Sequence, residues 1–211
     1  MKKITIIDYG CGNILNLARA IKFLGFEAEI TNEKNKIINS SNVILPGVGA
    51  FGHAMKQLEK HNLHKIILDY ANLNKPLLGI CLGMQLLFTK SYEFGVHAGL
   101  NLIEGEVVKI SNKKNREIKI PHVGWNEIYP KKSQKEWNSK ILNSSLVGKS
   151  FYFVHSFLCL TKKSESTVAI CEYLGISIPA VVSKDHIFGC QFHPEKSAKD
   201  GLSILKNFCD I

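Results

Sequence analysis

The sequence contains no cysteine pattern that builds a disulfide framework or a zinc site. Its six cysteines are scattered, with no Cys-x-x-Cys pair and no Cys/His cluster. This spacing argues against disulfide-stabilised scaffolds and zinc modules, so we expect reduced thiols, most of them buried as small apolar side chains. We expect neither a metal nor a cofactor.

Long apolar runs and linkers are also missing. No segment approaches the roughly 20 apolar residues of a membrane helix, and Asp8 interrupts the short apolar run near the N-terminus, which argues against a signal peptide. No Pro/Gly/Ser-rich stretch divides the 211 residues, and no internal repeat is present. With 45% hydrophobic residues, the composition predicts one soluble, cytoplasmic domain over residues 1–211.

Arginine is scarce. The formal charge of +9 is carried almost wholly by lysine, since Arg19 and Arg116 are the only arginines. Nucleic-acid readers use arginine forks and interleaved aromatics, whereas these lysines occur in pairs among Asn and Ser. We therefore expect solvated lysine loops and no nucleic-acid or membrane surface. An acidic protein partner would use the same charge equally well.

The first half of the chain alternates strands and helices. Asn13 is a predicted N-cap and Gly25 a predicted stop for the first helix. Apolar strands are predicted at 3–8, 26–30, 42–46 and 76–80, and helical spacing at 14–24, at 50–70 with a break near Asn62, and at 82–88. This alternation indicates a parallel sheet with helices on both faces.

The second half is richer in strands. The predicted strands are EVVKI (106–110), EIKIP (117–121), WNEIY (125–129), SFYFVHSF (150–157), TVAICEY (167–173), AVVSK (180–184) and IFGCQF (187–192). A helix at 201–208 closes the chain. In open α/β sheets, ligands bind at the carboxyl ends of the strands, and the glycine-rich turns after Asp8, Pro46 and Ile80 lie at that edge.

A Gly-x-Cys-x-Gly pentapeptide stands where a strand becomes a helix, with Cys81 between Gly79 and Gly83. This is the cysteine form of a nucleophile elbow, in which glycines make room for a sharp turn that exposes the side chain at the head of the sheet. The N–H groups that follow can hold an oxyanion. A buried structural cysteine beside packing glycines is the alternative.

The candidate base lies far downstream, in QFHPEKS. His193 follows a strand and Glu195 lies two positions on, so both side chains face the same way in an extended segment. Glu195 could set the imidazole tautomer while the other nitrogen serves the thiol. A surface loop in which His193 and Glu195 have no functional role is the alternative. Seven other histidines compete for the role: His53, His61, His64, His97, His122, His155 and His186.

The turn in LPGVGAFG (45–52) is the third candidate element. A strand that ends in Pro and then Gly-Val-Gly leaves backbone N–H groups free to point at an anion or a carbonyl. A plain tight turn explains the same residues when they are taken alone. The turn lacks the pattern of a phosphate-binding loop.

Taken together, GICLGMQLLF, QFHPEKS and LPGVGAFG resemble the class I glutamine amidotransferases over nearly the whole chain. More narrowly, IIDYGCGN, PGVGAFG, CLGMQ, PHVGWNE and FVHSF are similar to the glutaminase subunits of imidazole glycerol phosphate synthases. The resemblance implies a flavodoxin-like α/β fold: a central, mostly parallel sheet with helices on both faces and extra strands in the second half.

The resemblance also implies residue roles. Cys81 would be the nucleophile, His193 the general base and acid, and Glu195 the orienting carboxylate. The implied oxyanion hole consists of backbone N–H groups of Gly47, Val48, Gly49 and Leu82. The implied contacts to the α-amino and α-carboxylate groups of glutamine come from Gln85 and from the backbone around Ser156 and Phe157.

A protein partner is implied as well. The chain would hydrolyse glutamine through a thioester and pass ammonia to a (β/α)₈ cyclase subunit, forming a heterodimer that makes imidazole glycerol phosphate and aminoimidazole carboxamide ribotide. The implied partner face consists of Asn13, Trp125, Asn126, Tyr152 and Lys196. For Trp125 and Tyr152, ordinary core aromatics are the alternative.

Two departures from the family pattern leave other functions open. Residues 131–149 look longer than a compact member needs, with no role for Trp137, and Phe157 stands where the family commonly has Tyr. Paralogous subunits that supply ammonia to surface-sugar pathways share the catalytic machinery. A stand-alone cysteine hydrolase is a further alternative, although Leu82 directly follows the cysteine where such families usually have His.

Overall fold

The computed structural model describes residues 2–111, 119–131, 137 and 139–211. Its helices are α1 (Ile14–Phe23), α2 (Lys34–Asn39), α3 (Phe51–Lys60), α4 (Leu63–Ala71), α5 (Leu82–Leu86) and α6 (Ala198–Asp210). Its strands are β1 (Lys3–Ile7), β2 (Glu27–Thr31), β3 (Asn42–Leu45), β4 (Leu77–Ile80), β5 (Phe88–Ser91), β6 (His97–Ala98), β7 (Ile103–Lys109), β8 (His122–Glu127), β9 (Tyr129–Pro130), β10 (Ser150–His155), β11 (Phe157–Thr161), β12 (Thr167–Tyr173), β13 (Ile176–Lys184) and β14 (Ile187–Cys190).

The main sheet has eight strands in the order β2-β1-β3-β4-β14-β13-β12-β9. The strands from β2 to β14 run parallel, and β13, β12 and β9 continue the sheet with antiparallel pairing. β8 and β10 form a two-stranded sheet, and β11, β7, β5 and β6 form a third. Because β4 and β14 are parallel neighbours, the carboxyl ends of these two strands open at the same edge, with β3 beside them.

Helices cover both faces of the main sheet, as predicted. Strand β3 shows the reason for its continuous apolar sequence: Ile44 belongs to the core that holds α1 and α6, whereas Val43 and Leu45 belong to the core of α3 and α4. A strand with helices on both faces buries every side chain, so the period of two disappears. The fold class expected from the sequence is confirmed.

The predicted end of the first helix and the predicted helix break agree with the structure. The long helical stretch breaks at Asn62, which adopts a left-handed conformation with φ of 55° between α3 and α4. Gly25 has φ of +87° after α1, where glycine is favoured. Asn13 occupies the N-cap position, but its side chain makes no capping hydrogen bond.

The helix predicted over 82–88 is wrong at its end, because α5 stops at Leu86 and Phe88 begins β5. The carbonyl of Leu87 accepts the N–H groups of Leu102 and Ile103, so the chain pairs with β7 instead of continuing the helix. Strands β5 and β6 were not predicted.

Three strand predictions in the second half also need correction. The stretch 150–157 is two strands that divide at Ser156, because β10 pairs with β8 whereas β11 pairs with β7. The strand predicted over 125–129 begins earlier, at His122, and ends at Glu127. Of the strand predicted over 117–121, residues 117 and 118 lie outside the described residues, and 119–121 form no strand; Pro121 has no N–H to donate to a ladder.

The segment 131–149 is described only in part, since residues 132–136 and 138 lie outside the described residues. Trp137 is half-buried and packs against the core of α1 and α6. Its role in the described part of the chain is therefore packing. No helix within the described ranges is long and apolar enough to cross a membrane.

Candidate active site

Cys81 occupies a strained turn at the end of β4. Its φ of 54° and ψ of −111° lie in a region that non-glycine residues rarely adopt. The flanking glycines are required by close packing: a Cβ on Gly83 would lie 1.8 Å from the Leu45 carbonyl oxygen, and one on Gly79 would lie 2.7 Å from the Gly83 oxygen. The predicted elbow is therefore present, and close packing around its glycines holds Cys81 in the strained conformation at the head of the sheet.

His193 and Glu195 form a buried pair just beyond β14. The extended segment predicted for them is wrong, because Pro194–Lys196 forms a short 3₁₀ helix. Nδ1 of His193 lies 2.8 Å from Oε1 of Glu195, and the two side chains are 3% and 4% exposed. The other ring nitrogen, Nε2, is buried and has no hydrogen-bond partner among the described residues. Glu195 therefore orients the ring and leaves Nε2 available, the arrangement that a Cys–His pair requires.

The pKa of His193 reflects its neighbours. Burial lowers it, but the adjacent Cys81 side chain and the Glu195 carboxylate outweigh burial and raise the pKa from 6.5 to about 10. An imidazole with this pKa holds its proton at neutral pH. His193 is thus prepared to give a proton to a leaving group, as a general acid does.

Cys81 and His193 line one pocket of about 300 Å³ at the carboxyl edge of the sheet. The pocket also contains Val48, Gly49, Leu82, Gln85, Ser156 and Phe157, all predicted as site residues. Val154 and His155 from β10, together with Glu93 and Pro121, complete its lining. The fold therefore brings the candidate nucleophile, the candidate base and most of the candidate substrate contacts together.

The three residues of the Gly47-Val48-Gly49 turn do not contribute equally to this pocket. Val48 and Gly49 line it, and Gly49 has φ of +99° with open space where a Cβ would stand. Gly47 lies behind them: a Cβ there would meet the Tyr9 hydroxyl at 2.6 Å. Tyr9 donates a buried 2.8 Å hydrogen bond to the Pro46 carbonyl and so supports the turn from below. No sequence motif indicated this role for Tyr9.

The candidate substrate residues form a hydrogen-bonded group. Nε2 of Gln85 lies 3.2 Å from both the Phe157 carbonyl and Oε1 of Gln191, and Nε2 of Gln191 lies 4.0 Å from the Cys81 sulfur. The Ser156 carbonyl accepts the N–H of Ile110. This group connects the turn between β10 and β11 to the nucleophile.

Glu93 is a pocket residue that sequence reasoning missed. It is the one acidic side chain among the lining residues, and its carboxylate accepts the N–H of Phe51 at the start of α3 at 2.6 Å. Glu93 follows β5, a strand that the sequence did not predict, so no residue pattern near Glu93 indicated that it lies at the pocket.

The structure places the residues predicted to face a partner in different environments. Trp125 is 53% exposed, so its alternative interpretation as a core aromatic is wrong. Its ring meets that of Tyr152 edge to face at 6.1 Å, and the Lys196 ammonium lies 5.9 Å from the Tyr152 ring. Asn13 is exposed on a separate loop, whereas Asn126 is partly buried. We call Trp125, Tyr152 and Lys196 the aromatic face.

Of the histidines that compete with His193, only His155 lines the pocket. His122 lies behind it with Nδ1 2.9 Å from Nε2 of His155. Neither has a carboxylate partner in the described structure, in contrast to His193. Within the described ranges, no three His, Cys, Asp or Glu side chains cluster in a way that could hold a metal ion.

Comparison with known proteins gives consistent results. Residues 5–211 match the sequence model of the class-I glutamine amidotransferases. The chain is 42% identical over 213 residues to the imidazole glycerol phosphate synthase subunit HisH 1 of Legionella pneumophila (strain Lens), covering 100% of both chains. It is 47% identical over 208 residues to the subunit HisH of Caldanaerobacter subterraneus subsp. tengcongensis, covering 99% of this chain and 98% of that one.

Among solved structures, the chain resembles that of PurLQS from Thermotoga maritima with a TM-score of 0.74. The likeness covers 99% of this chain and 98% of that one at 17% sequence identity. At this identity, the likeness concerns the fold alone.

Proposed function

The chain belongs to the class-I glutamine amidotransferase family, and from this premise we propose that it is the glutaminase subunit of an imidazole glycerol phosphate synthase. The observation that carries the proposal is the meeting of Cys81, at a strained elbow, with the buried His193–Glu195 pair in one small pocket. The full-length similarity to subunits named HisH supports the choice among the family's reactions.

The chemistry begins with Cys81. His193 already holds the proton of the Cys81–His193 pair, consistent with its raised pKa, and the sulfur attacks the carboxamide carbon of glutamine to form a C–S bond. The negative charge on the oxygen is held by N–H groups of Val48, Gly49 and Leu82, which line the pocket. The C–N bond then breaks, and His193 gives its proton to the departing ammonia.

A γ-glutamyl thioester on Cys81 remains. Water, deprotonated by His193, attacks this thioester, and the C–S bond breaks to release the γ-carboxylic acid, which loses its proton to solvent as glutamate. The free sulfur of Cys81 and the protonated ring of His193 are thereby restored. Glu195 stays bound to Nδ1 throughout and keeps the ring in one orientation.

The α-groups of glutamine have charged and polar partners in the pocket. Glu93, the one acidic lining residue, would pair with the α-ammonium, and backbone N–H groups at Ser156 and Phe157 would hold the α-carboxylate. Gln85 supports this backbone through its bond to the Phe157 carbonyl.

Ammonia needs a sheltered exit, because in neutral water most of it becomes ammonium and is no longer nucleophilic. We propose that a (β/α)₈ cyclase subunit docks on the aromatic face, with Asn13 and Asn126 beside it, and receives the ammonia there. Trp125 supports this placement, since a half-exposed tryptophan packed edge to face against a tyrosine is a common anchor of protein interfaces.

The test measures glutamate and ammonia release by the isolated chain, by its mixture with a cyclase of histidine synthesis, and by its mixture with a synthase from a surface-sugar pathway. We expect stimulation by the cyclase and synthesis of imidazole glycerol phosphate from glutamine. Stimulation by the sugar-pathway synthase alone would overturn the assigned acceptor. Full activity without any partner would indicate a stand-alone hydrolase.

A further inference from the structure

Two buried histidines connect the two-stranded sheet β8–β10 to the candidate active site. His122 is fully buried between the stacked rings of Phe153 and Tyr173, at centroid distances of 5.0 Å and 4.0 Å. Its Nδ1 lies 2.9 Å from Nε2 of His155, which lines the pocket. The reaction described above uses neither ring.

The hydrogen bonds of these two rings determine which nitrogen of each ring carries the proton. Nδ1 of His155 lies 2.8 Å from the Phe157 carbonyl, which can only accept, so Nδ1 must carry the proton. A neutral ring then has a bare Nε2, which must accept from Nδ1–H of His122. Burial lowers the pKa of both rings, to about 4 for His155, so both are neutral at pH 7. Both rings therefore have the Nδ1–H tautomer.

The chain of bonds begins at Asn126. With Nδ1 of His122 protonated, its Nε2 is an acceptor, whereas the atom placed 2.8 Å from it is Oδ1 of Asn126. The amide must then turn its NH₂ group toward His122. Oxygen and nitrogen of an amide are assigned from their partners, and the opposing contact, to the Glu172 carbonyl, is long at 3.4 Å. Every N–H in the chain Asn126–His122–His155–Phe157 thus points toward the pocket.

We propose that His155 and His122 are positioning residues for glutamine, which hold the Phe157 carbonyl through this one-directional chain of hydrogen bonds. This inference rests on the proposed function, since it assigns their role in that same site. The Phe157 carbonyl also accepts from Gln85, which contacts Gln191 beside the Cys81 sulfur. Losing the chain would therefore loosen the turn that binds the α-carboxylate, while the Cys81–His193 pair stays in place.

The kinetic test uses paired variants in the complex with its partner. His155→Leu removes the donor to Phe157, and His122→Phe keeps the aromatic stack but removes the donor to His155. We expect each to raise KM for glutamine about tenfold with kcat nearly unchanged, the pattern of lost uniform binding. His155→Asn, whose Nδ2 can replace Nδ1, should restore most of the affinity.

A matched control is His186→Asn. The His186 ring makes the same type of bond, 2.7 Å to the Ala71 carbonyl, at the amino end of β14, away from the pocket. It should leave KM unchanged. The rate at which iodoacetamide alkylates Cys81 should also be unchanged in His155→Leu. An unchanged KM in folded His155→Leu and His122→Phe, or slowed alkylation in His155→Leu, would overturn the positioning role.

Nitrogen-15 NMR of the two rings tests the chain without any enzyme activity. We expect Nδ1–H signals and neutral rings for both histidines in the free wild-type chain at pH 7. Asn126→Asp, which offers only acceptors, should drive His122 toward the doubly protonated form. An Nε2–H tautomer at His155 would overturn the inference. Absence of glutaminase activity with every partner would refute the proposed function, whereas the tautomers would still decide the direction of the chain.

Discussion

The backbone N–H of Cys81 donates a 2.7 Å hydrogen bond to the carbonyl of Cys190. Cys81 begins the turn after β4, and Cys190 ends β14, the parallel neighbour of β4. This single bond joins the elbow to the segment that leads to His193 and Glu195, more than 100 residues away in the sequence. The candidate nucleophile and its candidate base meet because two strands are adjacent, and the elbow is held at the same edge as the His193–Glu195 pair.

We predict that Cys81→Ala abolishes glutamine-dependent synthesis by the complex while synthesis from added ammonia survives, because only the glutaminase step uses the thiol. Both activities are measured in the same complex by product formation. Cys171→Ala, which changes a fully buried thiol of β12 outside the pocket, is the control and should keep both activities. Normal glutamine turnover in Cys81→Ala would show that the nucleophile lies elsewhere.

Replacing the base should be severe and replacing its orienting carboxylate milder. We expect His193→Ala to lose roughly 10²–10⁴-fold in kcat, the usual scale for an acid–base group. Glu195→Gln should lose less, because its amide oxygen can still accept from Nδ1–H. Steady-state glutaminase assays of the complex compare the two. If His193→Ala kept its rate, His155 would become the candidate base, since it is the other histidine lining the pocket.

The stability of the protein should fall as the pH rises above neutrality, because of His193. Its pKa is raised from 6.5 to about 10, as burial is outweighed by Cys81 and Glu195, so the folded state binds the extra proton between these values. This stabilisation is complete below about pH 6.5 and is lost as the pH approaches 10. Urea unfolding of the wild type and of His193→Gln should therefore show a difference in free energy that shrinks over this range. A difference independent of pH would contradict the assignment.

His155 should have the opposite effect on stability. Burial lowers its pKa from 6.5 to about 4, although its hydrogen bond to Phe157 opposes the shift. The unfolded chain then binds more protons between these values, so the stabilisation is present above pH 6.5 and is lost as the pH falls toward 4. Urea unfolding of His155→Asn, which has no titrating ring, should show a weaker loss than the wild type. An equal loss in both proteins would mean that other groups dominate.

The isolated chain should be nearly inactive, and a substrate-loaded partner should activate it. Gly49 has open space and φ of +99°, so the peptide between Val48 and Gly49 can turn its N–H toward or away from the pocket, whereas the Tyr9 hydroxyl holds the Pro46 carbonyl just before Gly47. A stimulation of about 100-fold needs only about 2.7 kcal/mol of coupling. Glutamine hydrolysis is measured for the free chain, the complex, and the complex with an acceptor analogue. Equal rates in all three would rule out the switch.

The aromatic face should supply much of the affinity for the partner. Trp125→Ala should weaken binding by roughly 30-fold, equivalent to about 2 kcal/mol, because buried tryptophans dominate many interfaces. Phe23→Ala is the matched control: Phe23 is 79% exposed and ends α1, at the opposite end of that helix from Asn13. Calorimetric titration with the cyclase measures both. A wild-type affinity in Trp125→Ala would place the interface elsewhere.

Local physical rules explain what could be predicted about the fold. Strand β3 is a continuous apolar run because both of its faces are covered, and the break at Asn62 is encoded by a residue that tolerates a left-handed backbone. Each of these signals is contained in a few consecutive residues, so it can be read from a short window of the sequence. The end of α5 could not be read this way, because Leu87 forms its bonds with Leu102 and Ile103.

The sequence by itself determined the elbow, since Gly79, Cys81 and Gly83 lie within five residues, and it placed His193 close to Glu195, since they are two positions apart. Only the tertiary structure decided that these elements share a pocket, that Glu93 joins them, and that Trp125 is exposed. The physical reason is the distance along the chain over which the deciding interactions act. Backbone conformation and side-chain direction depend on neighbours in the chain, whereas proximity and burial depend on which strands pair, and that outcome depends on the packing of the whole sheet.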